Sequence, residues 1–153
     1  MNKIKASLLA VLCFTTTSLS LATANGQIAK TSTRDISCLA TNIYHEARSE
    51  PIEGQIAVAQ VTVNRVKNKH QFANTVCGVV FERAQFSWTL GKPKRVTDKK
   101  AWETAVQVAR VVLTHSHPVP KLNALFYHTT KIKPRWAKHK RVLTRIGNHV
   151  FYG

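Results

Sequence analysis

The sequence predicts an α+β domain: a helical N-terminal part followed by a small C-terminal β part. Three observations carry this. Apolar residues recur at helical spacing in three stretches before His115. After Lys121 the spacing becomes that of strands, with Gly147-Asn148 as a tight-turn pair. The chain has 153 residues with no internal repeat or linker, which is the length of one domain.

Residues 1–24 read as a secretory signal peptide. Lys3 and Lys5 form a basic start, an uncharged apolar and hydroxylated stretch follows, and Ala22-Thr23-Ala24 is a small-x-small cleavage site. An uncleaved anchor is the alternative, but Thr15-Thr16-Thr17-Ser18 shortens the apolar run below the ~20 residues a span needs. Cys13 follows Leu12, where a lipoprotein signal wants a small residue, so lipidation is not expected. The mature chain is expected to start near Asn25, secreted or periplasmic, with no stable membrane anchor. Residues 25–34 are polar and aperiodic and read as a flexible lead-in. Residues 35–153 form the folded domain.

Asp35 is a plausible N-cap for a first helix with Ile36, Leu39, Ala40, Ile43 and Ala47 on one face. Pro51 breaks it. A second helix follows with Ile52, Ile56, Ala59, Val63 and Val66 as its stripe; its β-branched residues also allow a strand, but its length favours the helix. Residues 77–94 read as loop or short strand. Thr97 or Asp98 caps a third helix with Trp102, Ala105, Val106, Ala109, Val112 and Leu113 inward. Residues 124–129 read as a strand and residues 142–152 as a hairpin.

Hydrophobic residues are 44% and charged residues 20%, an ordinary globular composition. The charge balance is not ordinary. Lys and Arg number 23 against 7 acids, net +16; without Lys3 and Lys5, 21 bases remain against 7 acids, net +14. Such a chain meets polyanions. Export points to anionic envelope polymers, and no nucleic-acid-binding motif is present. Residues 131–145 are strongly basic around Trp136, which reads either as a solvated face or as a groove edge gripping an anionic polymer. The mature chain keeps Cys38 and Cys77, which in an oxidising compartment read as a disulfide, with two buried thiols as the alternative.

Three glutamates, Glu46, Glu50 and Glu53, fall within eight residues of this basic chain. On the first helix His45 points away from the apolar stripe, and Glu46 lies about 80° from the stripe's centre. Near a helix C-terminus and half desolvated, such a carboxyl favours its protonated form, as a general acid requires. A surface glutamate pairing with Arg48 is the alternative. Glu50 reads as a cap for the second helix. His45-Glu46 lacks the second histidine of a zinc-protease motif, Ser49 standing there. A zinc site from His115 and His117 with His128 or His149 is a weaker alternative.

Three blocks carry a resemblance. Residues 43–51 (Ile-Tyr-His-Glu-Ala-Arg-Ser-Glu-Pro), 53–59 and Val63-Asn64-Arg65-Val66 make the first. Gln85-Phe86-Ser87 is the second. Ala124-Leu125-Phe126-Tyr127-His128, Trp136-Ala137 and residues 146–152 are the third. In this order they resemble the SleB/CwlJ-type cell-wall hydrolases over almost the whole mature chain. The resemblance implies a lysozyme-like α+β domain that cuts the MurNAc-GlcNAc strand of peptidoglycan, with Glu46 as the catalytic acid. Tyr127, His128, Trp136, His149, Gln85 and Ser87 are the expected substrate-binding residues. His45 and Ser49 stand where the family commonly has Gly. The family takes its name from spore germination; with no separate wall-binding repeat here, a free-standing wall remodeller is expected instead.

A two-carboxylate hydrolase needs a second acid ~5–9 Å from the first. None of Glu82, Asp98 and Glu103 has motif support, so one strong carboxyl favours a lytic transglycosylase with Glu46 as acid and then base. The alternatives are a zinc-dependent N-acetylmuramoyl-L-alanine amidase and a non-catalytic basic envelope-binding module. The expected partners are peptidoglycan glycan strands and anionic envelope polymers, with a monomer as the expected state. No cofactor and no metal is expected.

Overall fold

The structure is a computed structural model that describes residues 31–91 and 95–153. Residues 1–30, with the expected signal peptide and the start of the expected lead-in, lie outside the described residues. Helix α1 spans Thr33–Ala47, so the lead-in is shorter than expected. Ser32, not Asp35, is its N-cap: the Ser32 hydroxyl accepts the Asp35 N–H at 3.0 Å and donates to the Asp35 carboxylate at 2.8 Å. Asp35 thus occupies the third helical position of a capping-box arrangement, where its negative charge also suits the helix dipole. Leu39, Ala40, Ile43 and Ala47 are buried as their spacing predicts.

Helix α2 (Ile52–Lys67) is a helix, and four residues of the predicted stripe, Ile56, Ala59, Val63 and Val66, pack on the α1–α4 core, but that stripe is only one of its two covered sides. Ile52 is exposed, while Gly54, Gln55, Ala57, Val58, Ala59, Val61, Thr62 and Arg65 are buried. The reason is its position. One side of α2 packs on α1 and α4; the other lies under the sheet. A helix covered on two sides buries polar residues as well, provided each finds a partner. Thr62 accepts from Asn42 of α1 at 3.2 Å, and Gln55 donates to the Glu50 carbonyl at 3.1 Å.

The segment expected to be loop or strand holds a short helix, α3 (Val76–Phe81), capped by Thr75, whose hydroxyl accepts the Gly78 N–H at 3.0 Å. Val76, Val79 and Val80 sit at i, i+3 and i+4 and are buried together, which outweighs their β propensity. A 3₁₀ turn at Ser87–Thr89 buries Trp88. Helix α4 (Lys99–Thr114) is capped by Asp98, which accepts the Ala101 N–H at 3.0 Å. The Tyr44 hydroxyl accepts the N–H groups of Thr97 and Asp98, both at 3.1 Å, and so anchors the start of α4 to α1. Cys38 and Cys77 are disulfide-bonded, joining α1 to α3.

The β part is a three-stranded antiparallel sheet, β1 (Phe126–Thr129), β2 (Val142–Ile146) and β3 (His149–Tyr152), in the order β1-β3-β2. The hairpin turns at Gly147, whose φ of +55° favours glycine. Pairing Tyr127 with Phe151 and His128 with Val150 fixes which residues share a face. Tyr127, Phe151 and His149 look toward the helices; His128 and Tyr152 look outward, under a 3₁₀ turn at Arg135–His139 that brings in Trp136, and Phe126 at the start of β1 lies between Trp136 and the Arg65 guanidinium of α2. Ala47, Ala57, Val58, Val61, Ala124 and Phe151 form the core between sheet and helices.

Candidate active site

Glu46 lies in the last turn of α1 and is half-buried. Its carboxylate oxygen Oε2 accepts the Tyr127 hydroxyl at 3.1 Å, across 81 residues of sequence. Helix spacing puts Asn42 one turn before Glu46, on the same face. Asn42 is fully buried, and its side-chain amide donates to Thr62 at 3.2 Å. Burial and then the negative charge of Glu46 hold the Tyr127 hydroxyl well above its ordinary pKa, with Arg65 offsetting part of the effect. Tyr127 is therefore a neutral O–H donor throughout the physiological range.

Arg65 is the residue that sequence reasoning overlooked here. It is buried in α2 and makes two directed bonds: Nε donates to the Leu125 carbonyl at 2.8 Å, and Nη1 to Gln85 Oε1 at 3.2 Å. Its guanidinium lies 5.2 to 5.9 Å from the rings of Phe72, Phe86 and Phe126. Burial lowers its pKa, and the nearby Tyr127, Glu82 and Glu46 counter this. One cation thus holds the entry to β1 and the Gln85 loop together beside two glutamates. An arginine amid the apolar positions of a helix was the available signal. Glu82, which the sequence sets aside for want of motif support, has a buried Oε2 with no hydrogen-bond partner among the described residues.

The other predicted residues divide. Gln85 joins the site through Arg65, and Ser87 is exposed at the start of the neighbouring 3₁₀ turn. His149 is buried, its ring edge-on to Tyr127 at 5.2 Å, so it lies behind Tyr127 rather than at a surface where sugar can reach it. His128 and Trp136 are on the outer face of the sheet. His128 Nδ1 donates to the Thr129 carbonyl and Nε2 accepts from the Tyr152 hydroxyl, both at 2.8 Å, with Trp136 packed 5.6 Å away. Strand alternation separates these two from Glu46, so they do not join its site. His45, expected to point away from the core, is half-buried and stacked on Trp88 at 4.6 Å. Among the described residues no group of three or more His, Cys, Asp or Glu side chains is placed to hold a metal ion.

Glu50 does not cap α2, whose N-cap Pro51 offers no side-chain bond. It is buried under the hairpin, accepting the Asn148 N–H at 2.9 Å and the Asn148 side-chain amide at 3.1 Å. A Cβ on Gly147 would run into its carboxylate. Glu50 therefore ties the α1–α2 corner to the β2–β3 turn. Glu50→Ala should cost about 3 kcal/mol, because charged hydrogen bonds are lost and buried donors are stranded. Urea denaturation checks this; a cost below ~1 kcal/mol would mean the tie is incidental.

His149 gives a pH prediction. Burial lowers its pKa; Glu50, 3.9 Å away, opposes this and His128 adds to it. With the folded value below 6.5, the unfolded chain takes up this proton first as pH falls. His149 adds nothing above about pH 7 and destabilises progressively below about 6.5, by at most about 1.4 kcal/mol per pH unit. Melting temperatures from pH 7.5 to 5 should fall less steeply for His149→Gln than for the wild type. Parallel curves would remove His149 from the account.

A helical lobe, a small antiparallel sheet and a glutamate at their junction define a lysozyme-like α+β domain. Comparisons with known proteins narrow the class. A family model described as cell wall hydrolase matches residues 49–152. The spore cortex-lytic enzyme of Bacillus subtilis (strain 168) is 36% identical over 124 residues, covering 78% of this chain and 38% of that protein. That of Oceanobacillus iheyensis is 35% identical over 123 residues, covering 78% and 42%. The crystal structure of the catalytic domain of the Bacillus cereus SleB protein superposes with a TM-score of 0.62 at 31% identity, over 80% of this chain and 91% of that one. The catalytic domain of the germination-specific lytic transglycosylase SleB from Bacillus anthracis gives the same score and identity, over 80% and 96%. This chain belongs to the cell wall hydrolase family. It spans about two fifths of the length of the curated relatives it matches.

Proposed function

We propose that this chain is an exported peptidoglycan-cleaving enzyme, a lytic transglycosylase acting on the MurNAc-GlcNAc strand as a wall remodeller. The observation that carries the reading is the Glu46–Tyr127 contact, a helix-borne carboxyl met by a tyrosine from the sheet at the junction of the helices and the β part. In this reading protonated Glu46 gives its proton to the glycosidic oxygen as the bond to MurNAc C1 breaks. Glu46, now a carboxylate, takes the proton of the 6-hydroxyl of the same sugar. That oxygen bonds to C1, the product carries a 1,6-anhydro end, and Glu46 is protonated again. Tyr127, a permanent donor, orients the carboxyl. Arg65 adds positive charge beside it.

Glu82 supports a second reading. Its buried oxygen and its place beside Arg65 suit the second acid of a two-carboxylate hydrolase. Mass spectrometry of digested peptidoglycan separates the two. Anhydro-ended fragments, still produced by Glu82→Gln at a rate within about tenfold of wild type, are the expected result. Reducing ends that vanish in Glu82→Gln would establish the hydrolase. Free stem peptides, abolished by a chelator, would establish an amidase, and sacculi bound without cleavage would leave only an envelope-binding module.

A further inference from the structure

The outer side of the sheet carries a feature that the chemistry at Glu46 does not use. The last 50 residues contain nine Lys and Arg and no Asp or Glu. Residues 130–141 run as a strap across the outer sheet face. At one end the Thr130 N–H donates to the Asn148 carbonyl at 2.8 Å and the Ile132 N–H to the Thr129 carbonyl at 3.1 Å. In the middle Trp136 packs 5.8, 5.6 and 5.4 Å from the rings of Phe126, His128 and Tyr152. At the other end the Gly153 N–H donates to the Arg141 carbonyl at 3.1 Å. Trp136 is thus a keystone holding the strap down, not a platform standing free.

Held this way, the strap turns Lys131, Lys133, Arg135, Lys138 and Arg141 to solvent, and Arg145 joins them from β2. Lys140 alone folds inward, its ammonium 3.5 Å from the centre of the Phe126 ring. Glu50 and Glu53, the acids of the α1–α2 corner, lie on the helix side of the sheet, Glu50 committed to Asn148. Like charges crowded on a rigid surface repel one another, and a polyanion relieves that repulsion. The two large exposed aliphatics of the strap region, Ile132 and Val142, sit at opposite ends of the sheet and form no apolar patch. The face therefore suits a hydrophilic anion rather than a bilayer.

We propose that this strap is an exosite for the peptide-stem carboxylates of peptidoglycan strands next to the one being cut. The proposal rests on the reading of the chain as a peptidoglycan-cleaving enzyme. Tyr127 and His128 are consecutive and point to opposite sides of the sheet, so a glycan seated at Glu46 does not lie on the strap. The strap meets what surrounds that glycan, and in a cross-linked wall this is neighbouring strands with their carboxylate-bearing stems. Separate, flexible lysine and arginine heads suit carboxylates that are themselves mobile and irregularly spaced. The grip keeps the enzyme on the wall between cuts.

The test compares the wild type with a Lys131→Gln, Lys133→Gln, Arg135→Gln, Lys138→Gln variant. Their side chains are exposed, so the variant should melt within a few degrees of the wild type. Sedimentation is measured in the cold with intact sacculi, with sacculi stripped of phosphate polymers, with sacculi whose stem carboxylates have been amidated, and with anionic lipid vesicles. Turnover is measured separately on short soluble glycan fragments. The expected result is wild-type binding equal on intact and stripped sacculi, about tenfold or more weaker after amidation, and equally weakened on intact sacculi by the four substitutions, with soluble turnover unchanged. Variant binding equal to wild type would overturn the proposal. So would loss of wild-type binding on stripping, or stronger binding to vesicles, which would assign the face to phosphate polymers or membrane. Absence of glycan cleavage by either protein would overturn the proposed enzyme, while the binding comparison would still decide the exosite.

Discussion

Glu46→Gln should abolish glycan cleavage while leaving the protein folded and able to bind sacculi. The substitution keeps shape and a hydrogen-bonding head. Tyr127 can still donate to the amide oxygen, so the 3.1 Å contact has a substitute and the junction keeps its form. What disappears is the exchangeable proton. General acid catalysis contributes about 10²–10⁴-fold, and the loss should be at the upper end or beyond because one group is asked to act twice. Tyr127→Phe is the companion. It leaves the carboxyl and removes only the donor, so its loss should be smaller, about ten- to a hundredfold, the scale of one neutral hydrogen bond within a buried network. Dye release from labelled sacculi at equal folded fraction measures both. A Glu46→Gln protein that cuts at near wild-type rate would sink the mechanism and move attention to Glu82.

The largest effect on stability should come from removing the disulfide. Cys38 and Cys77 are 39 residues apart, and releasing a loop of that size costs ~4 kcal/mol on the chain-entropy model. For a domain of this size that is a fall in melting temperature of roughly 15 °C. Cys38→Ser, Cys77→Ser should therefore melt far below the wild type. At low temperature it should keep most of its activity, because Cys38 is two helical turns before Glu46, ~12 Å along α1. The bridge fixes α3 against α1; it does not shape the carboxyl's surroundings. A melting temperature within ~3 °C of wild type would show that packing of Val76 and Val80 already holds α3 without the bridge.

The contrast between α1 and α2 shows how much of the fold was legible. Helix α1 is covered chiefly on one side, so its buried residues trace a single stripe and the spacing of Leu39, Ala40, Ile43 and Ala47 reveals it. Helix α2 is covered on two sides, and no single stripe describes it. A phase chosen from apolar residues alone puts Ile52 inward and Arg65 outward; both are the reverse. The segment around α3 is too short for a periodicity to register, and its valines speak for strand until the core they share with α1 is known. The hairpin was legible because Gly147-Asn148 is a local signal that needs no partner.

The same division runs through the site. Sequence by itself determined the order of the three long helices and of the strands, the turn, the two cysteines of the mature chain as a candidate pair, the basic excess of the last third, and Glu46 as the carboxyl to watch. These follow from local propensity, composition and linear motif, all of which act over a few residues. Only the tertiary structure decided which side chains meet Glu46. Strand alternation sends Tyr127 to it and His128 away, and burial puts His149 behind the tyrosine. Arg65 reaches across 20 residues to Gln85 and 60 to Leu125 to join the two walls. Glu50, four residues beyond Glu46 and alike in composition, became a strut because the α1–α2 corner turned it under the Asn148 turn. Two glutamates four residues apart are chemically identical in sequence; the neighbours brought to them from 80 to 100 residues away make one the candidate acid and the other part of the frame.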